Sequence, residues 1–426
     1  MVGITVGQEH NRRQFATNAQ PCPSRILIVT PQPFYEDRGT PIAVRYVARA
    51  LAELGVEVDI LAFPVGEEIK LPHVHVRRCA NLFRFRSIPI GFSWRKVVLD
   101  LSLWKSFEKL IATRQYEIVH AVEDAAYIAS VLCPKYGQPF VYDMASAIPV
   151  ELRRKALFRG SLAQRLVQKA ERRVFERASH VVCSAGLADY VHQRCPEAPV
   201  SEWCYPAQTE RADAARVADL RRDLQIPSRH GVLLYCGNFA SYQGVELLVD
   251  AFRLARQRNP QLSLVCVGAT EAEIRSWTER YASSDLDRIH LVARKRRDEI
   301  PAYLGLADCL VSPRIAGNNL PLKLFDYMAS GKPIIATRGM PHQPLLDGGR
   351  ALLSEPTPAG MADTIINMFA SPLEARATGQ RALRYAAEHL GWSQFVGLIR
   401  DVYHDALANG PLAQRRFAAD AGLSMH

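Results

Sequence analysis

The segment Ser312-Pro313-Arg314-Ile315-Ala316-Gly317-Asn318-Asn319-Leu320-Pro321-Leu322-Lys323-Leu324-Phe325-Asp326-Tyr327-Met328-Ala329-Ser330-Gly331-Lys332-Pro333 ends a strand, turns through an Asn/Gly loop and starts a helix near Leu320. A second apolar run, Pro333-Ile334-Ile335-Ala336, follows directly. Strand, loop, helix and strand in that order form the repeating unit of a parallel sheet covered by helices. A helix that opens at the end of a strand offers unpaired N–H groups and a partial positive charge, which suit a diphosphate. Lys323 adds a point charge in the first turn. Asp326, three residues on, shares its helix face, where a carboxylate can accept two hydrogen bonds from ribose hydroxyls. If Asp326 serves only a ligand, Asp326→Asn should leave the unliganded chain as stable as before.

The same alternation extends outward on both sides. Upstream in this half lie Gly231-Val232-Leu233-Leu234-Tyr235, a helix around Leu247 to Leu254, Leu262 to Val267, Ile289 to Val292 and Cys309-Leu310-Val311. The first half begins with Arg25-Ile26-Leu27-Ile28-Val29-Thr30. A helix follows, with Val44, Val47, Ala48, Leu51 and Leu54 at helical spacing, closed by Gly55. Further strands are expected at Val58 to Leu61, Ile118 to His120, Phe140 to Tyr142 and His180 to Cys183. The spacing predicts an α/β protein of two Rossmann-like domains, residues 25–200 and 231–390. A linker spans 201–230, a disordered lead-in 1–24 and a tail 411–426. Two such domains turn their strand C-termini toward one cleft, where open α/β sheets bind ligands.

Composition agrees. The chain has 426 residues, room for two or three domains at roughly 150 residues each. Hydrophobic residues make up 48% and charged residues 23%, enough to bury a sizeable core. No apolar run approaches the ~18 residues of a membrane-spanning helix. Met1 to Ser24 lacks the apolar stretch of a signal peptide, so a cytoplasmic protein is expected. Nine cysteines show no metal-type spacing. Cys183, Cys236 and Cys266 sit in apolar runs and read as buried free thiols in a reducing compartment. The net charge of +10 favours anionic partners. With no nucleic-acid motif in the chain, nucleic acid is not expected to be one of them.

Four further motifs stand at strand ends. They are Tyr235-Cys236-Gly237-Asn238-Phe239-Ala240-Ser241-Tyr242-Gln243-Gly244-Val245, Pro33-Phe34-Tyr35-Glu36-Asp37-Arg38-Gly39-Thr40-Pro41, His120-Ala121-Val122-Glu123-Asp124 and Arg294-Lys295-Arg296-Arg297. Each also has a plain structural reading: a Gly-capped turn, a Pro-started helix, a satisfied histidine, a solvated basic loop.

The segment from Arg314 to Pro333 resembles the donor-binding segment of family four retaining glycosyltransferases. That pattern has Glu, seven residues, Glu, then a Met-Ala-Ser-Gly-like continuation before Pro and an apolar strand. Asn318 takes the first Glu position and Asp326 the second, as in a variant subgroup that carries Asn and Lys in this loop. The resemblance implies a GT-B fold, with residues 25–200 on the acceptor side and the last helix, 391–410, crossing back to the N-terminal domain near Gly391-Trp392-Ser393. It implies donor contacts from Gly39, Thr40, Asn238, Gln243, Gly244, Arg294, Arg314, Asn318, Asn319, Lys323 and Asp326. Beyond Arg294 the side chains of the basic loop are read as solvated. Asn238 and Gln243 replace an Arg and a Lys that usually grip the diphosphate, so Lys323 and Arg314 are expected to supply that charge. Val122 replaces a His that touches the sugar, while His120 and Glu123 remain, with Lys323, as catalytic candidates. The residues from Tyr142 to Ser146 fall on the acceptor side.

The expected activity is transfer of a sugar, with retention, from a nucleotide-diphosphate sugar to a glycan, lipid-linked or small-molecule acceptor. No Asp-x-Asp metal motif is present, so no metal and no cofactor besides the donor is expected. Two alternatives share the fold: a nucleotide-sugar epimerase, and a non-catalytic subunit suggested by Asn238, Gln243, Val122 and Asn318.

Finally, Glu151 to Arg159 runs into Leu162, Arg165, Leu166, Lys169, Arg172 and Arg173, an apolar and basic pattern at helical spacing. Phe83-Arg84-Phe85-Arg86 and Trp94-Arg95-Lys96 lie in the same half. One continuous amphipathic helix on an anionic inner membrane face would suit a lipid-linked acceptor. A helix whose apolar stripe packs on its own domain fits the same pattern.

Overall fold

A computed structural model describes residues 23–37, 39–86, 88, 94–153, 160–207, 210–282, 285–317, 320–339 and 342–410. Asn318 and Asn319, most of the expected lead-in and the expected tail lie outside the described residues. Ser24 is described, and its backbone N–H donates to Glu117 Oε1 at 2.7 Å.

The first domain contains β1 (Arg25–Pro33), α1 (Gly39–Glu53), β2 (Glu57–Phe63), β3 (Val74–Arg78), α2 (Trp94–Thr113), β4 (Ile118–Val122), α3 (Ala125–Lys135), β5 (Phe140–Met144), α4 (Ile148–Leu152), α5 (Ser161–Arg177), β6 (His180–Ser184), α6 (Ala188–His192) and β7 (Val200–Trp203). Its seven strands pair in the order β3-β2-β1-β4-β5-β6-β7, all parallel. The second contains α7 (Ala214–Asp223), β8 (Gly231–Cys236), α8 (Val245–Arg258), β9 (Leu262–Ala269), α9 (Glu271–Arg280), β10 (Ile289–Ala293), α10 (Ile300–Leu306), β11 (Cys309–Ser312), α11 (Lys323–Ser330), β12 (Ile334–Thr337), α12 (Gln343–Leu346), β13 (Leu352–Ser354), α13 (Pro358–Ala370) and α14 (Pro372–His389), and α15 (Trp392–Asn409) closes the chain. The second sheet runs β10-β9-β8-β11-β12-β13, again parallel.

The central strands are continuous apolar runs because both faces of a parallel sheet are covered. Ile26, Leu27, Ile28 and Val29 of β1 are all fully buried. The strands that periodicity does not find, β3, β7 and β13, are sheet edges. Their sequences VHVRR, VSEW and LLS are short or charged, the usual composition of an edge. Cys183, Cys236 and Cys266 are buried free thiols, as expected.

Helices α2, α3 and α5 pack as one layer on one face of the first sheet; α1 and α15 pack on the other. Helix α15 crosses back from the second domain to contact α1, β5, β6 and β7. Its Trp392 Nε1–H donates to Glu53 Oε2 at 2.7 Å. The expected amphipathic helix is not continuous: α4 ends at Leu152, residues 154–159 lie outside the described set, and Gly160 has extended backbone (φ −66°, ψ 143°) where it caps the start of α5. No described helix is long and apolar enough to cross a membrane. Strand order reverses between β1 and β4 in one sheet and between β8 and β11 in the other. At each reversal the loops diverge and leave a crevice at the strand C-termini.

Candidate functional site

The crevice of the second domain is built from the loops after β8 and β11. Gly244 (φ 72°) joins a 3₁₀ turn, Ser241–Gln243, to α8, and a Cβ there would collide with the Pro313 carbonyl oxygen. Glycine is therefore required for the two loops to meet. Asn238 uses its side chain locally: Oδ1 accepts from the Ala240 N–H at 3.2 Å, and its carbonyl accepts from Tyr235 Oη at 2.6 Å. Turn formation occupies the side-chain oxygen expected to face the donor. The bonds that close the turn before α11 are i→i+3, Leu324 N–H to Pro321 O and Phe325 N–H to Leu322 O. The helix proper thus starts at Lys323 rather than Leu320.

Lys323 reaches back across the crevice. Its Nζ donates to Gln243 Oε1 at 3.2 Å and lies 3.9 Å from the centroid of the Tyr235 ring. A Cβ on Gly237 would sit 2.7 Å from that ammonium, so Gly237 leaves the room Lys323 occupies. Burial lowers the Lys323 pKa to about 7, and Arg314 adds to the effect. No carboxylate is paired with Lys323 among the described residues. The side chain is half-buried, and its ammonium can take an anion as counter-charge. Arg314, which is buried, lies 5.1 Å from the Tyr242 ring, and its Nε–H donates to the Ala316 carbonyl at 2.8 Å.

Sequence reasoning missed two residues here. His342 is fully buried; its Nδ1–H donates to Thr337 O at 2.8 Å and its Nε2 meets Ser312 Oγ at 2.9 Å, fixing the end of β11. Burial, with Lys323 and Arg314 nearby, holds its pKa down at about 4, so the ring is neutral. The other is Arg297, which corrects the reading of the basic loop. Its Nη2 contacts both oxygens of Asp326, at 3.2 and 3.3 Å, and donates to Tyr46 Oη of α1 at 2.6 Å. Burial works against the Arg297 charge, but Asp326 and Tyr46 outweigh it and raise the pKa. Asp326, 7% exposed, is therefore an ion-pair partner and not a free ligand. Arg294 is exposed, and its backbone N–H donates to Ala269 O at 2.9 Å. A charge run gives no sign of which member turns inward.

In the first domain, Gly39 and Thr40 form the opening turn of α1, Gly39 exposed with open space where a Cβ would stand. His120 is not presented to the cleft surface. It is fully buried, Nε2 3.3 Å from Asp143 Oδ2 and Nδ1 2.9 Å from Tyr403 Oη of α15. Both nitrogens are occupied, and the residue ties the crossover helix to β4 and β5. Glu123 follows β4 in left-handed backbone (φ 53°), and its N–H donates to Asp143 O at 2.9 Å. Ser146 Oγ donates to Glu123 Oε2 at 3.3 Å. Burial first, then Glu151, Asp124 and Asp143, raise the Glu123 pKa well above the usual carboxylate value. Lys96 pairs with Asp124 beside it. Asp100 is pushed up to about 7 by burial and by Asp124.

Comparison with known proteins follows the same division. Residues 230–371 match the family model described as Glycosyl transferases group 1, and residues 38–200 match the one described as Glycosyl transferase 4-like domain. The chain is 25% identical over 399 residues to the D-inositol 3-phosphate glycosyltransferase of Pseudarthrobacter chlorophenolicus, covering 87% of this chain and 90% of that one. Among solved structures it resembles sucrose-phosphate synthase from Thermosynechococcus elongatus, with a TM-score of 0.74 at 20% identity over 90% of this chain and 99% of that one. It also resembles Anabaena HepE in complex with UDP and glucose, with a TM-score of 0.68 at 16% identity and the same coverage. The two structural likenesses speak to fold alone.

Proposed function

The chain belongs to the group 1 glycosyltransferases of GT-B fold, and on that premise we propose that it takes its sugar from a nucleoside-diphosphate donor held at the β8/β11 crevice, transfers it with retention and needs no divalent metal. The carrying observation is the Lys323 ammonium: half-buried, bonded among the described residues to neutral Gln243 rather than to a carboxylate, and standing at the N-terminus of α11. A diphosphate there gains the ammonium and the positive end of the α11 dipole. Relatives of the same fold hold UDP with glucose, which supports a nucleotide sugar as donor.

In the reaction the bond from the anomeric carbon to the β-phosphate oxygen breaks, and a bond to the acceptor oxygen forms on the same face. The acceptor proton passes to the departing phosphate. Lys323, with Arg314 behind it, stabilises the charge that develops there. Asp326 receives the ribose once the Arg297 contact is shared or displaced. Glu123, whose pKa is raised, faces the acceptor as a hydrogen-bonding group, while His120 positions β4 and α15.

Calorimetry with UDP- and GDP-sugars tests the donor site. Lys323→Ala should weaken the best donor by about 1.5–3 kcal/mol, the range for charge-assisted hydrogen bonds. Unchanged affinity overturns the assignment. Activity that disappears with chelator and returns with magnesium overturns the metal-free reading. Donor turnover without any acceptor would instead indicate the epimerase.

A further inference from the structure

The outward surface of the α2–α3–α5 layer is not that of an ordinary solvated helix face. On α2, Trp94, Val97 and Leu101 fall at i, i+3 and i+7 and are all exposed, followed by exposed Lys105. On α5, Leu162 and Leu166 are 70% and 61% exposed. Exposed Arg165, Lys169, Arg172 and Arg173 continue the same stripe. The inward stripe of α5 is separate: Gln164, Glu171, Val174 and Phe175 are buried. The core thus uses the opposite side of the helix, and the two leucines are left over.

The loop before α2 extends this surface. Asn81 and Phe85 clamp it by reciprocal hydrogen bonds, Nδ2–H to Phe85 O and Phe85 N–H to Oδ1, both 2.9 Å. The Phe83 ring is held out in solvent, stacked on Phe85, which in turn meets Trp94 at 5.5 Å. Arg95 lies over the same rings. Between α3 and α5 runs a groove of about 750 Å³, with Tyr127, Val131 and Leu166 in its walls and Lys169, Arg172 and Arg173 along it. Aromatic side chains at the level of lipid headgroups, aliphatic residues beneath them and cations around them are what an anionic bilayer surface receives.

We propose that this face lies on an anionic lipid bilayer and that the acceptor is carried by a lipid. The second half rests on the glycosyltransferase reading; the first does not. The placement links them. The first turn of α2 carries Lys96, which pairs with Asp124 at the end of β4, and α4, which packs on α5, follows the end of β5. Both apolar helix starts therefore border the crevice that holds Glu123. A lipid anchored at this face has its headgroup within reach of the acceptor side.

The full chain is to be sedimented with phosphatidylcholine vesicles with and without phosphatidylglycerol, and nucleotide-sugar affinity measured on the same preparations. The chain should pellet with the anionic vesicles alone and be released by salt. Leu162→Asp with Leu166→Asp, and separately Arg172→Glu with Arg173→Glu, should each lower partitioning about tenfold or more while nucleotide-sugar affinity stays unchanged. Recovery in the supernatant with both vesicle types at low salt overturns the proposal. So does a dimer in sedimentation velocity that Leu166→Asp dissociates, because a second copy would then cover the face. Vesicle binding that persists in a chain unable to bind any nucleotide sugar upholds the surface and removes the glycosyltransferase reading instead.

Discussion

Arg297 and Asp326 form an ion pair at 3.2 Å, and the same guanidinium donates to Tyr46 across the interdomain cleft. The carboxylate expected to wait for a ribose thus already has a structural partner. Asp326→Asn removes the charge that holds Arg297. Because the aspartate is buried, the pair is not a screened surface contact. The unliganded variant should lose about 1–2 kcal/mol, read as a fall of about 2–4 °C in melting temperature. That reverses the sequence expectation of an unchanged apo protein. No change would mean that Asp326 serves only the ligand.

If Lys323 receives the donor diphosphate as proposed, binding must depend on pH. Its unliganded pKa of about 7 lies far below the ordinary ~10.4. The folded chain gives up this proton before the unfolded chain does, so in the absence of donor the group makes stability rise with pH from about 7 to 10. A bound diphosphate favours the charged form, so binding takes up a proton above pH 7. Nucleotide-sugar affinity should fall toward tenfold per pH unit just above 7 and level off below it. Calorimetry in buffers of different ionisation heat measures the uptake, and Lys323→Ala should abolish it. A flat profile in the wild type refutes the role.

The His120–Tyr403 bond predicts a stability effect before a catalytic one. Tyr403→Phe leaves His120 Nδ1 unpaired in a site without solvent, at a cost of about 1–3 kcal/mol. The melting temperature should drop by several degrees. Equal melting temperatures with a lower kcat would place His120 against the substrate instead.

Asp100, pushed up to about 7, predicts a stability gap that depends on pH. The folded state holds the proton that the unfolded chain releases near pH 4, so the group's contribution is complete below pH 4 and is lost as pH rises through 7. Asp100→Asn has nothing to ionise. Its melting temperature should gain on the wild type between pH 4 and 7 and hold that gain at pH 8. A constant difference across the range contradicts the raised pKa of Asp100.

The central strands and their order along the chain are legible because a strand buried on both faces must be apolar throughout, as Ile26 to Val29 and Leu233 to Tyr235 are. Helix α11 is legible because Lys323, Asp326 and Gly331 stand at spacings that local backbone geometry imposes. The edge strands are not, since half their surface meets water and their sequences relax accordingly.

What the sequence alone determined is therefore local and periodic: two parallel α/β domains, their crevices, and the residue types at the strand ends. The tertiary structure decided which of those residues face one another. Gln243 and Lys323 are 80 positions apart, Tyr46 and Arg297 251, and His120 and Tyr403 283. It turned Arg297 inward out of a basic run, spent Asn238 on its own turn and buried His120 behind the crossover helix. Periodicity encodes which side of an element is buried; it carries no information about what lies opposite. A hydrogen bond or ion pair between distant residues depends on that opposite side, and only packing supplies it.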